Sequence, residues 1–103
     1  MGASPGSLAK EVRSALIKGM QRTFDPEISA EHVRVQPTEY KDYLSVQVVS
    51  PRFEGRDPDE RSEAVFAALD AEKVSKQVQN KITMVLTFTP DEHREYLIIE
   101  SGV

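Results

Sequence analysis

Lys81-Ile82-Thr83-Met84-Val85-Leu86-Thr87-Phe88 is the stretch on which the fold depends. Ile82, Met84, Leu86 and Phe88 alternate strictly with Lys81, Thr83, Val85 and Thr87. A period of two is the mark of a strand with one buried face. The residues that follow, Thr89-Pro90-Asp91-Glu92, start a helix: threonine can cap it, proline suits its first position, and glutamate stands where it closes a capping box. That helix reaches about Ile98.

Upstream of the strand the same logic recurs. Asp57, Pro58 and Glu60 form a second cap, proline and box set, opening a helix that runs to about Leu69 with Val65, Phe66 and Leu69 inward. Asp70 can cap a further helix through about Asn80, with Val74 and Val78 inward, giving a helix-turn-helix-like pair. Ser50 to Arg56 is a loop. Before it, Val33 and Val35 within Glu31 to Gln36, and Leu44, Val46 and Val48, mark two strands joined by the polar turn Thr38 to Asp42. So short a link makes them an antiparallel hairpin. Leu8, Val12, Leu16 and Met20 recur four apart, so Leu8 to Phe24 is an amphipathic helix that Asp25-Pro26 ends.

The predicted order is α-β-β-α-α-β-α, an α+β fold with a three-stranded sheet and helices on one face. Two helices separate the third strand from the hairpin, which permits parallel pairing in a mixed sheet. The 103 residues suit one domain. Small residues over 1–7 read as a disordered lead, 8–98 as the domain and 99–103 as a tail. The opening residues carry neither the positive region nor the apolar run of a secretory signal. No apolar run approaches the ~20 residues of a membrane span. The chain has no cysteine, so disulfides, thiolate metal sites and cysteine nucleophiles are excluded. A cytoplasmic location is the expectation, with no membrane partner.

The formal net charge of -4 weighs against nonspecific nucleic-acid binding, which runs on positive charge. Basic residues do cluster: Lys10, Lys18 and Arg22 on the first helix, Lys73, Lys76 and Lys81 around the second helix of the pair, and Arg52 and Arg56 about Phe53. They offer a surface for an acidic protein partner or a single-stranded nucleic acid. Tyr40 and Tyr43 could stack on bases, but as hairpin residues they read as cover for the sheet. The two histidines, His32 and His93, read as surface residues rather than metal ligands or proton-transfer groups. No serine has a nucleophile-elbow setting, and Gly55 stands alone rather than in a phosphate cradle. The expectation is a binding module, not an enzyme.

Val48-Val49-Ser50-Pro51-Arg52-Phe53-Glu54-Gly55 resembles the V-V-S-x-x-F-x-G signature of BolA-like proteins. Arg61 falls on the first arginine of that family's R-H-R, Val65 on the apolar position after it, and Thr89-Pro90-Asp91-Glu92 on its closing T-P-x-E segment. The resemblance spans about Leu8 to Leu97. It implies a fold similar to the type II KH domain, stress-linked or regulatory roles, and partners such as monothiol glutaredoxins, sometimes sharing an iron–sulfur cluster. Some members are proposed to bind DNA. The chain departs from the pattern in three places. Ser62 and Glu63 replace the rest of R-H-R. Lys81-Ile82-Thr83 stands where the family has a histidine before its last strand. Pro37 to Tyr43 has no histidine or cysteine to serve as a second ligand. Borderline metals require imidazole or thiolate, so no cofactor is expected. Leu69-Asp70-Ala71-Glu72 has two acids and no glycine where a KH phosphate loop would lie.

The expected function is a non-catalytic BolA-like regulatory module that engages a protein partner, glutaredoxin-type or other. The alternative is KH-like nucleic-acid binding through the helix pair. The candidate binding residues are Arg52, Phe53, Gly55, Arg56, Arg61, Lys73, Lys76 and Lys81. Arg61 has two possible roles: to bond a partner carboxylate, or to brace its own loop through Glu54.

Overall fold

The computed structural model describes residues 5–40 and 42–100. Its elements are α1 (Pro5–Thr23), β1 (Val33–Pro37), β2 (Leu44–Val49), α2 (Pro58–Ala71), α3 (Lys76–Gln79), β3 (Ile82–Phe88) and α4 (Pro90–Glu100), with 3-10 turns at Ala30–His32 and Pro51–Phe53. The sheet order is β1-β2-β3, with β1 antiparallel to β2 and β2 parallel to β3. This is the mixed three-stranded α+β architecture expected.

Val12, Leu16 and Met20 of α1 and Val65, Ala68 and Leu69 of α2 pack over Val33, Val35, Leu44, Val46 and Val48 to form the core. The two helices touch closely at Gly19: a Cβ built there would lie 2.2 Å from the carbonyl oxygen of Ala68. Past α1 the chain is pinned from below. The buried Asp25 carboxylate accepts a 2.6 Å bond from the Ser50 hydroxyl and a 3.0 Å bond from the Glu27 N–H. The end of α1 is thereby tied to the end of β2.

Both capping boxes form. Asp57 accepts from the Glu60 N–H at 2.9 Å while Glu60 accepts from the Asp57 N–H at 3.1 Å. At α4 the Thr89 N–H donates to Glu92 at 2.8 Å, and the Glu92 N–H donates back to the threonine oxygen at 3.3 Å.

The structure corrects four local expectations. α1 begins at Pro5, so 5–7 are helical rather than part of a disordered lead, and α4 takes in Ile99 and Glu100 of the expected tail. Residues 1–4 and 101–103 lie outside the described residues. An apolar stripe shows where burial starts, not where helical hydrogen bonding starts. Likewise Ala30–His32 is a 3-10 turn rather than the opening of β1, with the Ser29 N–H donating to the His32 ring at 3.1 Å.

The third correction concerns the helix pair. Asp70 does not cap a helix, because α2 runs on through Ala71. It stops where Lys73 turns into the left-handed region at φ 60° and the Val74 N–H bonds back to Leu69 at 3.0 Å. Ser75 then caps α3, accepting from the Val78 N–H at 3.2 Å. The second helix is a single turn of four residues. Asp70 instead accepts from Gln79 at 2.8 Å and Lys76 at 3.0 Å, and these bonds, the glutamine's first, lower its pKa.

The fourth concerns β3. Leu44 pairs with Ile82 but Ser45 pairs with Met84, so Thr83 is an extra residue, a β-bulge. A one-residue slip reverses which face each side chain takes. Ile82 stays in the core and Val85 packs against it, while Met84 is 52% exposed. Met84, Leu86 and Phe88 therefore share the second face of the sheet with Gln47 and Arg34. There α4 folds back, its Tyr96 ring 4.8 Å from Phe88 and its His93 ring nitrogen 3.2 Å from the Gln47 amide. The two long helices lie together on one face, but α4 covers part of the other, so the expectation of helices on one face holds for α1 and α2 and not for α4, which the single residue Thr89 turns back over the sheet.

Candidate functional site

The loop residues proposed from sequence gather where the Pro51–Phe53 turn leads into α2. The turn is set by Ser50, whose oxygen accepts from the Arg52 N–H at 3.1 Å. Phe53 is fully buried, its ring 5.0 Å from Phe24, so it is a core residue beneath the loop and unavailable to a partner. Gly55 sits at φ +77° with open space around it, so it is needed for the backbone turn and not for close approach. The Arg56 guanidinium lies over the Phe24 ring at 5.2 Å, and its Nε donates to the Arg52 carbonyl at 3.2 Å. The Arg52 guanidinium stands 3.6 Å from the buried Asp25 carboxylate.

Arg61 is a brace. Its side chain is only 12% exposed. Its Nε donates to the Arg56 carbonyl at 2.9 Å, and the fork holds both Glu92 oxygens, at 2.7 and 3.3 Å. The guanidinium also lies 5.7 Å from the Phe53 ring centre and reaches the Thr87 carbonyl at 3.4 Å. The brace thus runs through Glu92, not Glu54. Most of the Arg61 donors are therefore engaged within the chain rather than held out to a partner carboxylate.

The Arg61 hydrogen bonds first, and the Thr89 N–H second, hold the Glu92 carboxyl below the ordinary glutamate pKa. A lowered folded pKa stabilises the fold above the unfolded value of about 4.3, and that contribution is lost as pH falls through the lower folded value. Arg61→Met should therefore lower the melting temperature more at pH 7 than at pH 3. Thermal unfolding of both proteins across that range checks it. An equal deficit at both ends would mean the Glu92 pair contributes nothing.

The lysines lie elsewhere. Lys73 precedes α3 and Lys76 opens it, in an exposed 3.0 Å pair with Asp70, and Lys81 immediately precedes β3. At about 3.3 Å per residue, β3 puts roughly 20 Å between Lys81 and the Thr87 end that Arg61 holds. The eight residues proposed from sequence therefore form two surfaces at opposite ends of the sheet, with two of the eight, Phe53 and Arg61, turned inward.

At the Lys81 end stands the β1–β2 turn. The Thr38 N–H bonds the Tyr43 carbonyl at 3.0 Å and the Tyr43 N–H bonds the Tyr40 carbonyl at 3.2 Å, while the Leu44 N–H bonds the Lys81 carbonyl at 2.8 Å. The tyrosines do not cover the sheet: Tyr40 is 73% exposed and Tyr43 44%. Two exposed phenols and Lys81 thus lie at the same end of the sheet.

The second sheet face holds what the sequence did not reveal. A groove of about 470 Å³ runs beneath α4, with Arg34, Gln47, Met84, Leu86, Tyr96 and Leu97 in its walls. Hydrogen bonding to Glu100 first, then burial, raises the Tyr96 pKa. His32 and His93, read as unrelated surface residues, both border a second open groove of about 320 Å³ beside Glu31 and Arg13. The signal was available: a one-residue link, Thr89, between β3 and α4 forces the helix to fold back on the sheet. Among the described residues no group of three or more His, Asp or Glu side chains is placed to hold a metal ion, and no helix is long and apolar enough to cross a membrane.

No family model, no curated protein and no solved structure matches this chain.

Proposed function

We propose that this protein is a non-catalytic binding module of BolA-like, type II KH-like architecture, and that it engages a protein partner in a regulatory role. The observation that carries the reading is the exposure of Tyr40 and Tyr43 beside Lys81. Folding leaves two large aromatic side chains exposed to water in the β1–β2 turn. Tyrosine is enriched at protein interfaces because a rigid ring gives contact area at small entropy cost and its hydroxyl tolerates water. The element order and the antiparallel-then-parallel sheet support the architecture. Lys73 lies toward this same end of the sheet as Lys81, so an acidic patch on the partner suits it.

The helix pair is a poor nucleic-acid reader. Its second helix is one turn, and Asp70 neutralises Lys76. Stacking of single strands on the two tyrosines is the form in which a nucleic-acid role survives.

The test is affinity purification from the native cell with three baits: the unchanged chain, a Tyr40→Ser/Tyr43→Ser/Lys81→Glu variant, and an Arg52→Glu/Arg56→Glu variant. The first variant should lose the specific partner about tenfold or more, as loss of central aromatic anchors implies, while the arginine variant keeps it. Loss from the arginine variant alone would place recognition at the loop and overturn the assignment. A gel-shift salt titration decides the other class, since steep loss of binding with salt marks nucleic acid.

A further inference from the structure

The second face of the sheet has a polar floor. Alternation along the strands turns Val33, Val35, Leu44, Val46 and Val48 into the core. Arg34 and Gln36 of β1 and Ser45 and Gln47 of β2 therefore face the other way. The register sets Arg34 beside Gln47 and Gln36 beside Ser45. Past the bulge, β3 adds Met84 and Leu86 to the same floor. α4 is seated here by its first turns, where the His93 and Tyr96 rings meet Phe88 and His93 meets Gln47. Further along, Leu97 is 51% exposed above a Met84 that is 52% exposed. The groove they border holds about 470 Å³, within the roughly 300–1,000 Å³ of small-molecule sites.

Arg34 sets this groove apart. The other arginines are engaged within the chain: Arg13 with the Val33 carbonyl, Arg22 with Glu72, Arg52 with Asp25, Arg56 with the Arg52 carbonyl, Arg61 with Glu92 and Arg94 with Asp91. Among the described residues, the Arg34 guanidinium makes no hydrogen bond, ion pair or ring contact. It lines both open grooves of this face. Its charge reaches Tyr96, where it works against the pKa rise that the Glu100 hydrogen bond and burial produce. Glu100, the one acid on the walls of the larger groove, is engaged by that tyrosine.

We propose that this groove binds a small organic carboxylate with an apolar body, the carboxylate on the Arg34 guanidinium and the body against Met84, Leu86 and Leu97. A planar guanidinium with its donors free takes a carboxylate through two parallel hydrogen bonds. Arg34 is the one lysine or arginine on these walls, so a single negative charge suits the groove better than a doubly charged phosphate ester. The apolar body takes Met84 and Leu97 out of water, which supplies the driving force. Concave apolar walls with a few convergent polar groups are the general form of such sites.

Octanoate is the probe, followed by titration calorimetry and by the NMR signal of the Met84 methyl. One octanoate should bind per chain and shift that methyl. Arg34→Met should weaken binding about tenfold or more, as loss of a charge-assisted pair implies, with the melting temperature unchanged because the side chain is exposed. Arg94→Met, off the groove, should bind as the unchanged chain does. Octylammonium, with the same tail and the opposite charge, should bind about tenfold or more weakly than octanoate. Absence of octanoate binding, equal binding by Arg34→Met, or equal binding of octylammonium overturns the proposal. So does loss of octanoate binding in the Tyr40→Ser/Tyr43→Ser/Lys81→Glu variant with retention in Arg34→Met, which would put the carboxylate at the other surface. Partner binding at the tyrosines is measured separately and stands or falls on its own result.

Discussion

Gly19→Ala should lower stability by about 3 kcal/mol, although the same change in an exposed helix adds up to about 1 kcal/mol. The added methyl would lie 2.2 Å from the Ala68 carbonyl oxygen, 2.7 Å from its carbonyl carbon and 3.0 Å from its Cα. Those atoms belong to the backbone of α2, so no side chain can rotate away. The helices must part, and parting them loosens Leu16 and Met20 against Val65 and Leu69. In a domain of this size each kcal/mol moves the melting temperature by about 4–8 °C, so the midpoint should fall by roughly 15 °C. Gly19→Val should leave the chain largely unfolded at 37 °C, because a total stability of about 5–15 kcal/mol cannot absorb a branched side chain there. Gly55→Ala is the contrast. It meets nothing, and its φ of +77° costs only about 1 kcal/mol. Thermal unfolding of the three variants checks the argument, and a rise in melting temperature for Gly19→Ala would refute the close approach.

Gly19 also marks a limit of what the sequence shows. The four-residue spacing of Val12, Leu16 and Met20 announces the buried stripe of α1, since burial has a period. A glycine beside that stripe looks like a weak helix residue, because nothing local says that a second backbone passes over it. The capping boxes at Asp57 and Thr89 were legible for the opposite reason: cap, proline and glutamate act within one turn. The end of α2 was not. Asp70 has the chemistry of a cap, but helix propensity through Ala71 and the left-handed turn at Lys73 moved the boundary. Alternation in β3 was real yet misled about the buried face, because one bulge at Thr83 reverses every later side chain. The arginine loop and the lysines looked like one surface because both are basic. Whether they converge depends on the direction of β3, a property of the whole sheet.

Phe53→Ala should cost about 3–5 kcal/mol, the range for deleting a buried aromatic ring, and lower the melting temperature by roughly 20 °C. The ring is fully buried, stands 5.0 Å from Phe24, and underlies the Arg61 guanidinium at 5.7 Å. Its removal leaves a cavity under a turn whose one side is the buried Asp25–Ser50 bond and whose other is the Arg61–Glu92 pair. Neither can collapse inward without breaking polar contacts, of which the Asp25–Ser50 bond is buried and costly to lose. Phe53→Leu keeps most of the volume and should cost about 1.5 kcal/mol or less. The pair of variants also separates the binding role read for this residue from the sequence from the core role that the structure gives it. If Phe53 touched a partner, Phe53→Leu would weaken binding while leaving the fold intact. Because the ring is shut inside, Phe53→Leu should bind the partner as the unchanged chain does, and Phe53→Ala should lose binding only in step with its loss of folded protein. Partner affinity measured beside unfolding midpoints decides this, and a folded Phe53→Leu variant that fails to bind would return the loop to the interface.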